Sequence, residues 1–220
     1  MAQTVGPSVQ LSDAIGGLAS DTTEVGIVVG DMFRYACAGL FTREPESARF
    51  AMESRAWVAQ SSMMLDRRMR AIIQQYAPVG EDMRRITELR QAISEYGRIA
   101  DYAKNIADSA LILGGATDAI LQCWCASDTA DILSILIAVV YEQMRGAFLV
   151  TAARDLRQAR TLVSRDEDVR SFCDALMKRL RLAIHTDPME AALPLQRLIA
   201  VAAHVREVDA CLVAICKTVL

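Results

Sequence analysis

The chain has 220 residues, of which 53% are hydrophobic, so it can bury the core of one fused bundle or of two small domains. Its formal net charge is −3. It therefore lacks the excess of basic residues that neutralises a phosphate backbone, and nucleic acid is not expected as a partner. The first ten residues lack the basic and the continuous apolar stretches of a secretory signal. We therefore expect a cytoplasmic protein.

Strong helix formers dominate the sequence, and no segment alternates with the period of a strand. Residues 82–111 repeat apolar side chains at steps of three and four, which predicts one long amphipathic helix. Turn-forming residues predict breaks at 41–45, at 77–80, at Gly114–Gly115, near Thr151 and between Thr186 and Pro188. These breaks predict an all-α protein with three helices before the Gly-Gly pair and three after it, the fourth helix starting near Thr117.

The two halves of the chain match at a constant offset of 108 residues. The matched pairs are Asp66 with Asp174, Met69 with Met177, Arg70 with Lys178, Asp82 with Glu190, Arg98 with Arg206, and Asp101 with Asp209. Their order follows the predicted helices, which indicates a duplicated three-helix unit with an internal pseudo-twofold relation. We expect a flexible N-terminus at 1–10, a first three-helix repeat at 11–115 and a second at 116–220.

The longest apolar run, residues 132–141, is interrupted only by Ser134 and is too short to span a bilayer. It is apolar on all sides, so we expect it in the centre of the bundle. If it is exposed instead, it would serve a helix–helix homodimer or docking on the cytoplasmic face of a membrane protein. The methionines are also expected to fill the core: Met63, Met64, Met69, Met144 and Met177.

No residue pattern predicts catalysis. His185 lies in a predicted turn and His204 lies one turn from Glu207, so neither has a positioned acid–base partner. Gly-rich phosphate loops and hydrolase motifs are missing from the sequence. The six cysteines contain no CxxC pair and are expected to be reduced and packed as small hydrophobic side chains: Cys37, Cys123, Cys125, Cys173, Cys211 and Cys216.

Three segments carry a family resemblance: residues 77–84 (APVGEDMR), 95–101 (EYGRIAD) and 103–107 (AKNIA). They resemble the PhoU family signature, in which a Pro precedes Asp-Leu-Arg by four residues and Glu-Arg-Ile-Gly-Asp and Asn-Ile follow. The resemblance covers about residues 30–220, including the duplication. It implies two three-helix bundles and a non-enzymatic regulator of phosphate uptake and phosphate-responsive signalling. By this resemblance its partners would be a phosphate transporter component and a sensor kinase. It would be a homodimer, and it would contact the membrane only through a protein partner.

The resemblance assigns a structural or interface role to nine motif residues: Asp66, Asp82, Arg84, Arg98, Asp101, Asp174, Glu190, Arg206 and Asp209. Arg98 and Asp101 lie three residues apart, as do Arg206 and Asp209, so each pair is expected to form a surface ion pair. A lone Asp on an amphipathic helix, such as Asp66 or Asp174, is expected at the solvated edge of the apolar stripe.

The resemblance also implies a metal site built from Glu/Asp-x-x-x-Asp pairs, whose spacing places both carboxylates on one helix face. Here Gly97 and Val205 occupy the positions four residues before Asp101 and Asp209. Arg55 and Ala59 occupy the positions that resemble the acidic pair of the second helix. We therefore expect no cofactor, or only weak binding of a divalent cation or iron.

Two other functions are compatible with the sequence. One is a metal-binding helical bundle in which the remaining carboxylates meet from different helices, which stoichiometric metal in the purified protein would indicate. The other is a helical oligomerisation module that regulates another transporter or an ion channel, since one fold serves many functions.

Overall fold

The computed structural model describes residues 7–42, 44–114, 128–186 and 189–220. These residues form helices and contain no strand, which confirms the all-α prediction. The helices are α1 (Pro7–Thr42), α2 (Pro45–Tyr76), α3 (Gly80–Gly114), α4 (Asp128–Ala153), α5 (Leu156–Ser164), α6 (Asp166–Thr186) and α7 (Met189–Val219). α1 begins inside the predicted flexible N-terminus, and the predicted break near Thr151 falls just before the end of α4. The predicted boundary of the repeats, like the start near Thr117, lies outside the described residues.

The second helix of the second repeat is broken, which the sequence analysis did not predict. Only Arg165 separates α5 from α6. Asp155 caps α5, because its Oδ1 accepts a hydrogen bond from the Gln158 backbone N–H at 2.9 Å. Three acidic residues, at 166–168, begin α6 and are favoured by the dipole at a helix N-terminus. Together α5 and α6 correspond to α2, so each repeat has three helices as predicted.

The third helix of each repeat lies at the centre of the molecule. α3 packs against α1 and α2 of its own repeat and against α4 and α7 of the other. The repeats thus meet where α3 contacts α7 and where α1 contacts α4. The core is continuous across this junction, and its largest fully buried side chains include Tyr96, Phe33, Leu18, Met32, Met69 and Leu136.

Two glycines of α1 admit aromatic rings at the junction. The Tyr96 hydroxyl is hydrogen bonded to Thr151 Oγ1 at 2.8 Å, and its ring lies 6.2 Å from that of Phe148 in an edge-on arrangement. A Cβ atom at Gly26 would lie 2.7 Å from Cζ of Tyr96, and one at Gly30 would lie 2.9 Å from Cζ of Phe148. Only glycine at these positions allows α1 to approach so closely.

Two expectations about the core are corrected. Met63 and Met64 are exposed. The buried stripe of α2 runs through Val58, Leu65 and Met69, and the two methionines lie outside this stripe. Met69, Met144 and Met177 are buried as predicted. Within residues 132–141 one face is buried, but Ile135 and Val139 are exposed because α4 lies at the edge of the bundle.

Two helices are long and apolar enough to cross a membrane by length and composition: Val9–Thr42 and Thr129–Ala153. In the first, 56% of the most apolar window is buried inside the protein, as in the core helix of a soluble protein. In the second, only 39% of that window is buried. Helix α4 therefore presents an unusually apolar outer face.

Replacing Gly26 with Ala should lower the free energy of unfolding by about 1–3 kcal/mol, because the Tyr96 ring is held by Thr151 and cannot shift freely. Urea denaturation measures this change. Gly16→Ala is the matched control on the same helix, since a Cβ there meets no atom within 4 Å. Gly16→Ala should raise the free energy of unfolding by roughly 0.5–1 kcal/mol. Equal effects of both substitutions would contradict the close approach.

Candidate functional site: the charged seams of the third helices

In the first repeat, two of the predicted motif carboxylates join α2 to α3. Asp66 on α2 pairs with Arg70 on its own helix and with Nε of Arg90 on α3 at 3.5 Å. Asp101 on α3 accepts a hydrogen bond from Nε of Arg55 on α2 at 2.5 Å. The Asp66–Arg90 and Asp101–Arg55 pairs both connect α2 to α3. We call this row of charged contacts the α2–α3 seam.

The second repeat has a corresponding α6–α7 seam. Asp174 on α6 accepts a hydrogen bond from Nη1 of Arg206 on α7 at 3.3 Å. Arg206 also lies 3.5 Å from Glu207 on its own helix. Asp174 is exposed, and the ion pair therefore contributes about 1 kcal/mol or less. The pair connects α6 to α7.

The two ion pairs expected within single helices are not the ones that form. Arg98 pairs with Glu95 at 2.8 Å, while Asp101 pairs with Arg55. The Glu95 side chain is almost fully buried, and a buried carboxylate gains more from a cation than an exposed one does. Arg206 likewise pairs with Asp174 across the seam.

Asp209 is a buried carboxylate, with 2% of its surface exposed. Its Oδ1 has no hydrogen-bond partner among the described residues. Burial raises the pKa of Asp209 to about 7, the nearby Asp166 carboxylate adds to this effect, and Arg170 opposes it. The group therefore holds its proton up to near-neutral pH.

Asp101 and Asp209 occupy matching positions of the two repeats but have different surroundings. At the offset of 108 residues, Asp101 matches Asp209, whereas its partner Arg55 matches Val163. The first repeat thus supplies a guanidinium to its carboxylate, and the second places an aliphatic side chain at the matching position. The sequence analysis identified both carboxylates but not this difference in their surroundings.

The buried Glu88 on α3 joins the two repeats, and the sequence analysis missed it. Its carboxylate lies 2.8 Å from Arg154, 3.3 Å from Arg84 and 3.4 Å from Arg85. Arg85 also donates hydrogen bonds to the backbone carbonyls of Thr151 and Ala152, at the C-terminal end of α4. A cation is favoured there because carbonyls at a helix end lack partners within the helix.

The connection after α4 completes this network. Arg154 adopts a left-handed backbone conformation with φ of 57°. Its backbone N–H donates to the carbonyl of Val150 at 2.9 Å, and Nη1 donates to Glu81 at 2.7 Å. Glu88 and Glu95 interrupt the apolar stripe of α3 seven residues apart, which was the signal available in the sequence.

The residues present do not fit the metal site that the family resemblance implies. Among the described residues, no group of three or more His, Cys, Asp or Glu side chains is placed to hold a metal ion. Asp101 is engaged by the Arg55 guanidinium rather than by a second carboxylate. Gly97 and Val205 supply no oxygen ligand beside Asp101 and Asp209.

The remaining motif residues lie at the ends of the third helices. Asp82 is exposed in the first turn of α3, where a carboxylate is favoured by the helix dipole, and Arg84 pairs with Glu88 one turn further on. Glu190 belongs to α7, and its side chain lies outside the described part of the structure.

Neither the described histidine nor the described cysteines form a reactive group. The His204 ring lies 5.7 Å from that of Tyr102, and burial lowers the pKa of His204 while Glu207 opposes the shift. The described cysteines are buried and free, and burial raises their pKa: Cys37, Cys173, Cys211 and Cys216. These four thiols are therefore packed in the core, as expected from the sequence. His185, Cys123 and Cys125 lie outside the described side chains.

Comparisons with known proteins point in one direction. The PhoU domain family matches residues 22–110. The crystal structure of PhoU from Pseudomonas aeruginosa has a TM-score of 0.86 at 17% identity, covering 94% of this chain and 96% of that one. The phosphate transport system regulatory protein PhoU from Streptococcus pneumoniae has a TM-score of 0.81 at 14% identity, covering 97% and 95%. A comparison with curated proteins found no match. At these identities, the structural likeness shows a shared fold.

Replacing Glu88 with Gln should lower the free energy of unfolding by about 3 kcal/mol, because it leaves three arginines around a buried neutral group. Chemical denaturation measures the loss. Glu81→Gln is the control: it removes an exposed pair to the same Arg154 and should leave the free energy of unfolding almost unchanged. A loss at Glu88 no larger than that at Glu81 would contradict the network.

Replacing Asp209 with Asn should remove a pH dependence of stability. Between about pH 4, where an unfolded Asp ionises, and about pH 7, the folded state keeps a proton that the unfolded state has released. Raising the pH through this window therefore lowers the stability of the wild type. The free energy of unfolding of the Asp209→Asn variant, relative to that of the wild type, should rise by a few kcal/mol between these limits and then level off. Denaturation at several pH values measures this difference.

The control for this pH series is Asp101→Asn in the first repeat, which removes an exposed ion pair to Arg55. Its effect should stay within about 1 kcal/mol. Parallel stability curves for Asp209→Asn and the wild type from pH 4 to pH 8 would show that the Asp209 carboxylate is not held protonated in the folded state.

Proposed function

We propose that this chain is a member of the PhoU family, whose domain model matches residues 22–110, and that it regulates inorganic phosphate transport and phosphate-responsive signalling. It acts by binding protein partners and performs no chemistry itself. The family match, which spans part of α1, the whole of α2 and most of α3 with the charged seam, is the observation that carries the proposal.

The use of the motif residues supports a non-catalytic role. Asp66, Asp101 and Asp174 bind arginines on neighbouring helices and so fix the third helix of each repeat. A catalytic group needs a positioned partner and access to substrate. The described cysteines are buried, and His204 packs against an aromatic ring.

A regulator of this kind changes a transporter or kinase by binding one of its states more tightly than another. We assign it a component of a phosphate transporter and a sensor kinase as partners, a cytoplasmic location, and contact with the membrane through a protein partner alone. Exposed aromatic side chains on α2, such as Phe50 and Trp57, are typical of protein-binding surfaces. We also assign it a homodimeric state.

Deleting the coding sequence in its own host should abolish the response of phosphate uptake to external phosphate and change the expression of a phosphate-responsive reporter. Uptake of radiolabelled phosphate, measured in phosphate-rich and phosphate-poor media, tests this directly. Complementation with the wild-type chain should restore both responses.

Unchanged phosphate uptake together with altered flux of another ion would overturn the proposed function. That outcome would favour a regulator of a different transporter or channel. Stoichiometric metal in chain purified without chelator would instead favour the metal-binding bundle.

A further inference from the structure

The groove between the first and second helices is open in both repeats. In the first repeat a cavity of about 220 Å³ is lined in part by Trp57, Ser61 and Met64. In the second, a cavity of about 270 Å³ is lined in part by Arg165, Val169 and Phe172. These residues match pairwise at the offset of 108, so the two cavities occupy equivalent places in the duplicated fold.

The two grooves differ in detail. The first is lined by three charged residues, Asp21, Glu24 and Arg68, and by four apolar ones, Val25, Trp57, Met64 and Leu65, and Asp21 pairs with Arg68 across it. The second is lined by apolar residues apart from Arg165 and Asp168: Ile135, Leu136, Val139, Val169 and Phe172. Three of these side chains are well exposed, Ile135 by 56%, Val139 by 39% and Phe172 by 54%. An apolar patch of this kind on a soluble protein marks an interaction surface.

Helix α4 provides a ridge beside this groove. Ser134 and Ala138 are exposed next to Ile135 and Val139, and small residues let another helix approach closely. Leu149, also 56% exposed, continues the outer face of α4 for about 21 Å beyond Ile135, at 1.5 Å per residue. The face defined by α4 and α6 thus contains both a ridge and a groove, which an interface between identical surfaces requires.

The charges at the rim select the occupant. Arg165 and Asp168 make no ion pair with any described residue and lie about one helical turn apart. Glu142 and Arg145 on α4 add one charge of each sign. These four charges sum to zero, so the rim of the groove offers no excess of positive charge to attract an anionic membrane.

We propose that a second copy of this chain covers the α4–α6 face, with the two α4 helices antiparallel across a twofold axis. The Ile135–Val139 ridge of each copy enters the groove lined by Val169 and Phe172 of the other. The same symmetry brings Arg165 of each copy to Asp168 of its partner. This proposal deepens the homodimer assigned above and locates its interface.

Sedimentation velocity over a concentration series tests the proposal on the full chain. The wild type should be a dimer, and Ile135→Glu with Phe172→Glu should weaken dimerisation by about 100-fold or more, because both charges would enter an apolar contact. The matched control is Ile27→Glu with Met64→Glu, at the equivalent positions of the first repeat, where exposure is 50% and 61%. It should dimerise like the wild type. Circular dichroism checks that both double variants stay folded.

Charge reversal gives an independent test. Arg165→Asp should weaken the dimer by roughly 5- to 10-fold, and adding Asp168→Arg should restore it, because opposite charges then face each other again. A monomeric wild type at all concentrations would overturn the proposal, as would equal effects of the two double variants. Co-sedimentation of the monomer with phosphatidylcholine vesicles, lost in the Ile135→Glu, Phe172→Glu variant, would assign the face to a membrane instead. None of these measurements involves phosphate uptake, so the dimer interface and the proposed function can fail separately.

Discussion

The packing of α3 against α7 joins the two repeats into one core. Each repeat has three helices, and its third helix buries one side against its own repeat and another against its counterpart. Apolar burial supplies the driving force, since α3 contributes Tyr96, Ile99 and Ile106 to the core with no exposed surface. Neither third helix could be covered in this way by its own repeat alone.

Charge at this junction adds specificity to the hydrophobic contact. Glu88 is buried among three arginines, and one of these, Arg85, also binds the end of α4. Such a network contributes little net free energy of folding compared with an apolar core of the same size. Removal of one partner, however, leaves the other charges buried and unpaired. It therefore fixes how the second repeat is placed against the first.

The duplicated halves differ most where their charges differ. Arg55 pairs with Asp101 in the first repeat. In the second repeat Val163 occupies the position that matches Arg55, and Oδ1 of Asp209 has no hydrogen-bond partner among the described residues. The outer grooves differ as well, since Ser61 of the first matches Val169 of the second. One backbone plan thus carries two outer grooves with different linings.

The all-helical fold, the duplication and the family resemblance could be predicted from the sequence, because the helical period, the turn residues and the 108-residue offset are properties of the chain alone. The break at Arg165 and the choice of ion pairs could not. Arg98 has an acid three residues away on each side, and the choice of Glu95 depends on burial and on Arg55 of a different helix. The exposure of Met64 and Ile135 was likewise decided by the placement of neighbouring helices. Local patterns specify which elements form, but distances between elements exist only once the chain has folded.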